Sequence, residues 1–166
     1  MDLIVAADKN CAIGKGGDLL YSLPEDMKYF RRKTAGKVVV MGKKTLLSFP
    51  GGNPLKNRVN VVLTHDPDFA PEGVTVVHSY DELFAEIEKY PEDKVMLIGG
   101  GSLYNALYSR CRRAYVTWVD ASDADADTFI PDLRYMPGWS FDYISPPVET
   151  GGKKVQFAVY INRGLK

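Results

Sequence analysis

A series of short apolar runs, separated by segments with helix signals, restricts the fold of this chain more than any other feature. Val38–Met41 and Val95–Ile98 contain only apolar residues, which is typical of strands covered on both faces of a sheet. Further runs rich in apolar residues lie at Leu3–Ala7, Val59–Leu63, Val74–Val77, Tyr115–Val119 and Phe157–Ile161. Because strands and helices alternate, the pattern predicts an α/β fold with a largely parallel sheet.

Serine residues indicate where three helices begin. Ser22 is expected to cap the helix that follows it, with Glu25 closing a capping box. Ser79 shows the same pattern before a second helix. Ser102 is expected to cap a third helix over Leu103–Tyr108.

The length and composition favour a single domain over residues 1–166. A chain of 166 residues, of which 45% are hydrophobic and 25% charged, can bury one substantial core. Its 21 basic residues balance 21 acidic ones, so no overall field attracts a nucleic acid or an anionic membrane. We expect a monomer, because no heptad pattern or large apolar stripe is evident.

Cysteine usage and the N-terminal segment indicate a cytoplasmic protein. The chain has 2 cysteines, too few for a disulfide scaffold, which fits a reducing compartment. The apolar run after Asp2 is far too short for a signal peptide or a membrane span.

The glycine-rich turn after Val95–Ile98 is the first candidate binding segment. Gly99, Gly100 and Gly101 allow backbone amides to approach a ligand, and the helix start that follows favours phosphate. A tight strand-to-helix turn without a ligand would have the same sequence. The dinucleotide-binding spacing GxGxxG also fails here, because Tyr104 occupies the place of its third glycine.

A second candidate is the cationic turn Gly42-Lys43-Lys44-Thr45, which follows another apolar run. Two ammonium groups and a hydroxyl can hold phosphate oxygens, although a solvated loop is an equal alternative. A Walker A loop is disfavoured, because Gly36 lies one residue too far from Gly42 and Lys43 is followed by lysine.

Asp26 is the third candidate, in the first turn of a predicted helix. A first-turn aspartate is usually solvated and interacts with the helix dipole. A carboxylate that faces an apolar cleft instead needs a ligand's N–H groups to offset its desolvation. His65 and His78 have no metal-ligand spacing, and no nucleophile motif for acyl transfer is present.

Five segments, taken in order, resemble the dihydrofolate reductase family, and their spacing matches as well. The resemblance extends from about Leu3 to Ile161. The segments are Ala12-Ile13-Gly14, Leu23-Pro24-Glu25-Asp26-Met27, Val40-Met41-Gly42-Lys43-Lys44-Thr45, Ile98-Gly99-Gly100-Gly101 and Asp127-Thr128-Phe129-Ile130-Pro131.

The resemblance implies a fold and an activity. The fold would be an eight-stranded, mainly parallel sheet with flanking helices and an antiparallel C-terminal strand. The activity would be NADPH-dependent reduction of dihydrofolate to tetrahydrofolate by hydride transfer to the pterin ring, which supplies one-carbon and thymidylate metabolism. Antifolate inhibitors would bind in the same cleft.

The resemblance also assigns substrate contacts. Asp26 would hydrogen-bond the pterin's ring nitrogen and amino group and promote protonation, with Thr117 in support. Arg58 would grip the α-carboxylate of the folate glutamate. Tyr21 stands where the family usually has a tryptophan near a substrate-linked water. The remaining contacts would be the carbonyls of Ile4 and Ile98 and apolar walls of Met27, Phe30, Phe49 and Leu55.

For NADPH the resemblance implies three groups of contacts. Those near the nicotinamide and its ribose would be Ala6, Ile13, Gly14, Lys15, Gly16, Gly17, Asp18 and Leu19. Those near the pyrophosphate and its turns would be Gly42, Lys43, Thr45, Gly99, Gly100, Gly101, Ser102, Leu103 and Tyr104. Those facing the adenosine 2′-phosphate would be Lys44, Thr64 and His65, a set that suits a phosphate better than a free ribose.

The chain departs from the family pattern at a few positions. Leu20 replaces the usual proline beside Tyr21, Ser102 stands where some bacterial relatives have arginine, and Ala126 where some have glycine. Two alternatives therefore stay open. One is the related pyrimidine reductase of riboflavin synthesis, against which Asp26 and Arg58 argue, and the other is a non-catalytic folate- or nucleotide-binding protein.

Overall fold

The computed structural model describes residues 1–165. The N-terminal strands and first helix are β1 (Asp2–Asp8), β2 (Ala12–Lys15), β3 (Asp18–Leu19) and α1 (Pro24–Thr34). The middle elements are β4 (Val38–Gly42), α2 (Lys43–Ser48), β5 (Val59–Leu63), β6 (Val74–Val77), α3 (Tyr80–Ile87), β7 (Val95–Gly99) and α4 (Gly101–Leu107). The C-terminal strands are β8 (Arg113–Val119), β9 (Thr128–Phe129), β10 (Trp139–Ile144), β11 (Val148–Thr150) and β12 (Lys153–Asn162).

One large sheet organises these elements in the order β10-β12-β8-β1-β7-β4-β5-β6. The strands from β8 to β6 run parallel, whereas β12 runs antiparallel to β8 and to β10. This confirms the expected eight-stranded, mainly parallel sheet with an antiparallel C-terminal strand, to which β11 adds a short partner of β12. A separate small sheet, in the order β3-β2-β9, was not predicted.

The predicted apolar runs all lie in strands, and the strands that the sequence missed are short or exposed. β3 and β9 have 2 residues each, too few to show a period of two. β10 is largely exposed along its length. Such strands form because a neighbouring strand supplies hydrogen bonds, and local composition does not record that neighbour.

The sheet is covered on both faces, as the continuous apolar runs predicted. Along β4, Val38 and Val40 belong to one buried cluster, and Val39 and Met41 belong to another. This follows from strand geometry, since successive side chains point to opposite faces. Val39, Val40 and Met41 are each 0% exposed, and burial of such a side chain stabilises the fold by roughly 1.5–3 kcal/mol.

The start of α1 differs from the prediction. Leu23 is its N-cap residue and makes no side-chain cap, so the predicted capping box of Ser22 and Glu25 is wrong. The backbone N–H of Glu25 donates instead to Thr150 Oγ1 on β11, at 3.0 Å. Pro24 at the first helical position needs no acceptor, and a tertiary hydroxyl serves the next amide.

The serine cap predicted for α3 is confirmed, whereas the one predicted for α4 is wrong. Ser79 Oγ accepts from the backbone N–H of Glu82 at 3.1 Å, which confirms the predicted cap. Gly100 is the N-cap residue of α4 and Ser102 lies exposed inside the helix, so the predicted Ser102 cap is wrong. The helix begins within the glycine turn, at Gly101, so Ser102 is its second residue and not its cap.

No helix within residues 1–165 is both long enough and apolar enough to span a membrane.

The cap of α1 by a remote strand can be tested by substitution. Thr150→Val keeps the shape of the side chain but removes the acceptor, so the free energy of unfolding should fall by about 1 kcal/mol, as for the loss of an N-cap. Urea denaturation measures this change. Ser22→Ala is the control and should leave stability unchanged; a larger loss for Ser22→Ala would restore the capping box.

Candidate active site

The order of strands directs the site to one edge of the sheet. The chain places β4, β5 and β6 on one side, then returns to insert β7 beside β1 and adds β8 on the opposite side. Ligands of open parallel sheets bind at the carboxyl ends of strands where the order reverses in this way. Candidate residues from distant parts of the sequence meet at this edge.

Asp26 and Thr117 form the central polar contact of the site. Thr117 lies on β8, is 1% exposed, and pairs with Ala6 of β1 in the register of the sheet. Its Oγ1 donates to Asp26 Oδ1 at 2.7 Å. Since this contact uses one carboxylate oxygen, Oδ2 remains suited to accept from a ligand.

Burial, more than charge, sets the properties of Asp26. Burial raises the pKa of its carboxyl group, and the Thr117 hydrogen bond partly opposes that effect. Nearby Tyr29 is also buried, which raises the pKa of its phenol to about 12. A desolvated carboxylate favours a ligand-facing role for Asp26 over a solvated first-turn role.

The expected apolar walls are mostly brought together beside Asp26. Phe30, Phe49 and Leu55 pack against the buried cluster that contains Ile4 and Ile98. Met27 differs from them, because it lies on the outer part of α1 and is 48% exposed.

The guanidinium of Arg58 is fixed by the protein itself. Nε donates to Thr34 Oγ1 at 2.9 Å, and the two terminal nitrogens donate to the carbonyls of Lys56 at 2.6 Å and Arg31 at 3.1 Å. Burial and the neighbouring Arg31 lower the pKa of Arg58. Because a guanidinium has five N–H groups, donors remain for a carboxylate at this position.

Tyr104 connects α4 to β1 through a buried hydrogen bond. Its hydroxyl donates to the Ile4 carbonyl at 2.6 Å, and burial raises the pKa of the phenol far above its ordinary value. The family resemblance places Tyr104 with the cofactor turn and gives no sign of this contact. The carbonyl of Ile4 has a second lone pair, so it can still accept from a ligand.

The two candidate phosphate segments lie side by side. A Cβ atom at Gly99 would lie 3.5 Å, and one at Gly100 3.4 Å, from Thr45 Oγ1. Gly99 has φ +130°, a conformation open to glycine, and the Gly99–Gly100 peptide bond is cis. The glycine turn and the Thr45 hydroxyl are therefore neighbours and form one candidate surface for a phosphate.

The two lysines of the cationic turn have different surroundings. Lys44 is exposed, whereas Lys43 Nζ contacts Asp66 Oδ2 at 2.8 Å. Thr64 and His65 directly follow β5, which pairs with β4 up to Gly42↔Leu63. The turn predicted at Gly42–Thr45 leads directly into the helix α2, which begins at Lys43, so the alternative of a solvated loop is wrong.

Comparison with known proteins identifies the family. A model of the family described as dihydrofolate reductase matches residues 1–157. The chain is 40% identical over 139 residues to dihydrofolate reductase type 3 of Salmonella typhimurium, covering 84% of this chain and 82% of that protein. It is 36% identical over 141 residues to a dihydrofolate reductase of Haemophilus influenzae, covering 85% and 84%. The chain belongs to the dihydrofolate reductase family.

Comparison of the fold with solved structures supports the same family. A solved structure of dihydrofolate reductase from Enterococcus faecalis, complexed with NADP(H) and RAB-propyl, matches with a TM-score of 0.85 and 34% identity. The match covers 96% of this chain and 94% of that chain. The dihydrofolate reductase fold therefore extends over nearly all of the chain.

In this member of the dihydrofolate reductase family, the small sheet anchors the 15–19 segment, because Gly14 and Lys15 of β2 pair with Leu19 and Asp18 of β3. The backbone N–H of Gly16 donates to Asp127 Oδ2 at 2.8 Å, and this contact lowers the pKa of Asp127. Leu19 at the end of the segment is 73% exposed. Asp127 was not among the predicted site residues, although it belongs to one of the five family-like segments.

Tyr21 contacts a carboxylate that the sequence analysis did not select. Its hydroxyl lies 3.4 Å from Asp8 Oδ2, and the phenol packs against the cluster that contains Leu23. Asp8 is 0% exposed, and its Oδ1 accepts from the backbone N–H groups of Asn10 and Ala12. In this dihydrofolate reductase, Tyr21 therefore sits against the end of β1.

The burial of Asp26 leads to a prediction about stability and pH. Because burial raises the pKa of the folded carboxyl group, its ionised form destabilises the native state at neutral pH. That cost is fully present above the folded pKa and is lost as the pH falls toward the unfolded pKa. Asp26→Asn should therefore raise the free energy of unfolding at pH 7, by an amount that shrinks as the pH falls through that window.

Urea denaturation at several pH values measures this effect. Glu25→Gln is the matched control, since Glu25 lies in the same turn but pairs with Lys28 at 3.1 Å near the surface, and it should give no gain. A gain for Asp26→Asn that is independent of pH would contradict the proposed cause.

Proposed function

We propose that this chain reduces 7,8-dihydrofolate to tetrahydrofolate with NADPH through the site centred on Asp26. The observation that carries the proposal is the 2.7 Å hydrogen bond from Thr117 to a desolvated Asp26, in a member of the dihydrofolate reductase family. A partly buried carboxylate held in this way lacks only donors from a ligand.

In the proposed complex, Asp26 accepts from the ring nitrogen and amino group of the pterin, and Thr117 fixes the carboxylate for that two-point contact. The carbonyls of Ile4 and Ile98 lie at the same ring, and Arg58 binds the α-carboxylate of the glutamate. By orienting the ring and carrying a negative charge beside it, Asp26 promotes protonation of the pterin.

The cofactor site is supported by the chemistry of the residues present. NADPH, when bound here, would supply the hydride that reduces carbon 6 of the pterin. The Gly99–Gly101 turn and Thr45 offer backbone and hydroxyl donors for the pyrophosphate. Lys44, Thr64 and His65 offer an ammonium group, a hydroxyl group and an imidazole for the 2′-phosphate, where a carboxylate would instead suit a free ribose.

The nicotinamide end is assigned to Ala6, to Ile13 and Gly14 on β2, and to the 15–19 segment. That segment would exclude water from the reacting rings when both ligands are bound. Tyr21, next to this segment and hydrogen-bonded to Asp8, is proposed to position a water near the substrate, in place of the family's tryptophan.

We further propose that the chain acts as a single-domain monomer in the cytoplasm and binds neither nucleic acid nor membrane. Its balanced charge, with 21 basic and 21 acidic residues, supports the absence of polyanionic partners. Its proposed ligands are dihydrofolate, NADPH and antifolate inhibitors. Retention of Asp26, Thr117 and Arg58 disfavours both a pyrimidine reductase and a non-catalytic binding protein.

The loss of NADPH absorbance on mixing with dihydrofolate tests this function directly. Wild-type protein should consume NADPH, and Asp26→Asn should lower kcat by roughly 10²-fold or more, as expected for loss of a group that assists proton transfer. The deficit should be greatest at high pH, where free substrate is not protonated.

Two controls make the result specific. Glu25→Gln should retain wild-type turnover, and an Asp26→Asn protein that still binds NADPH shows that the cofactor site is intact. Equal activity of Asp26→Asn and wild type across pH would refute the role of Asp26, and no turnover by a wild-type protein that binds NADPH would refute the reductase.

A further inference from the structure

An ion pair lies beside the residues proposed to receive the 2′-phosphate, since Lys43 precedes Lys44 and Asp66 follows His65 in the chain. Lys43 Nζ lies 2.8 Å from Asp66 Oδ2, and the two side chains are 36% and 37% exposed. Lys43 is the first residue of α2, and Asp66 comes directly after Thr64 and His65. A carboxylate therefore sits beside the groups that were assigned to a phosphate.

The position of Asp66 is fixed by its surroundings. Its backbone N–H donates to Thr64 Oγ1 at 3.2 Å, and its Oδ1 accepts from the backbone N–H of Asp68 at 3.0 Å. The hydrogen bonds from Lys43 and Asp68 lower the pKa of Asp66, so it is ionised at neutral pH. Lys43 is held as well, since its Nζ lies 5.0 Å from the centre of the Phe69 ring.

This arrangement changes the charge that a cofactor would meet. The ammonium of Lys43 is neutralised by Asp66, Ser102 contributes no charge, and Lys44 is the exposed cation of the turn. An ionised carboxylate repels a phosphate dianion at short range. A free ribose, in contrast, has hydroxyl groups that donate to a carboxylate, which is how NAD-binding sites hold it.

We propose that Asp66 is a specificity-determining residue that narrows the margin by which this reductase prefers NADPH over NADH. It acts in two ways: it neutralises Lys43, and it offers an acceptor to the 2′-hydroxyl of a cofactor that lacks the phosphate. This inference rests on the proposed placement of the 2′-phosphate at Lys44, Thr64 and His65.

The test compares cofactor binding by full-length wild type, Asp66→Asn and Asp68→Asn. Dissociation constants for NADPH, NADH and adenosine 2′,5′-bisphosphate are measured by calorimetry at low and moderate salt, together with KM for both cofactors. Asp68 is the matched control, because its side chain lies exposed in the same loop and its backbone contact survives the substitution.

Asp66→Asn should bind NADPH and the bisphosphate more tightly, on the order of tenfold at low salt, as expected for the removal of one charge near a phosphate. NADH should bind no more tightly than before, so the ratio of NADPH affinity to NADH affinity rises by at least the same factor. Asp68→Asn should keep the wild-type ratio. Asp66→Ser should shift the ratio in the same direction, which guards against a folding defect in one variant.

Lys44→Ala distinguishes failure of this inference from failure of the proposed cofactor site. If Lys44→Ala weakens NADPH but not NADH while both Asp66 variants leave the ratio unchanged, the role of Asp66 is overturned and the cofactor site stands. If the ratio is unchanged in Lys44→Ala, Thr64→Ala and both Asp66 variants alike, the placement of the 2′-phosphate is wrong, and the inference falls with it.

Discussion

Burial of the central parallel strands on both faces governs the rest of this structure. Val39 and Val40 on β4, and Met96 and Leu97 on β7, have no exposed surface, so these strands leave no room for an unpaired polar group. Polar side chains that could bind a ligand are therefore placed at the carboxyl edge of the sheet. There the strands end, and backbone groups are no longer all paired within the sheet. The reversal in strand order at β1 lies at that edge, where ligands of open parallel sheets bind.

Asp26 and Thr117 show how a polar pair is kept at the border of such a core. Thr117 is buried within β8, and its hydroxyl is satisfied because it donates to the carboxylate. The carboxylate is in turn desolvated and incompletely satisfied by the protein. A site of this kind lowers the stability of the protein without ligand, and it binds a ligand's N–H groups strongly.

The cofactor side follows a different logic, because its groups come from loops and helix starts and not from the core. Thr45 and the glycine turn meet since β4 and β7 are neighbours in the sheet. The sequence motif alone, however, does not show how many of its lysines have a positive charge available for a phosphate. Lys43 and Lys44 are adjacent in sequence, yet one is paired with Asp66 and the other is exposed, so their local fields differ.

The sequence by itself determined the strand runs, the Ser79 helix start and, through five ordered segments, the family and its expected site residues. Only the tertiary structure decided which groups satisfy one another. Thr117 and Asp26 are separated by 91 residues, Tyr104 and Ile4 by 100, and Lys43 and Asp66 by 23. Local periodicity records which face of an element is buried, whereas such contacts depend on strand order. For the same reason, the caps predicted at Ser22 and Ser102 were wrong: a remote threonine accepts from the start of α1, and the glycine turn begins α4 before Ser102.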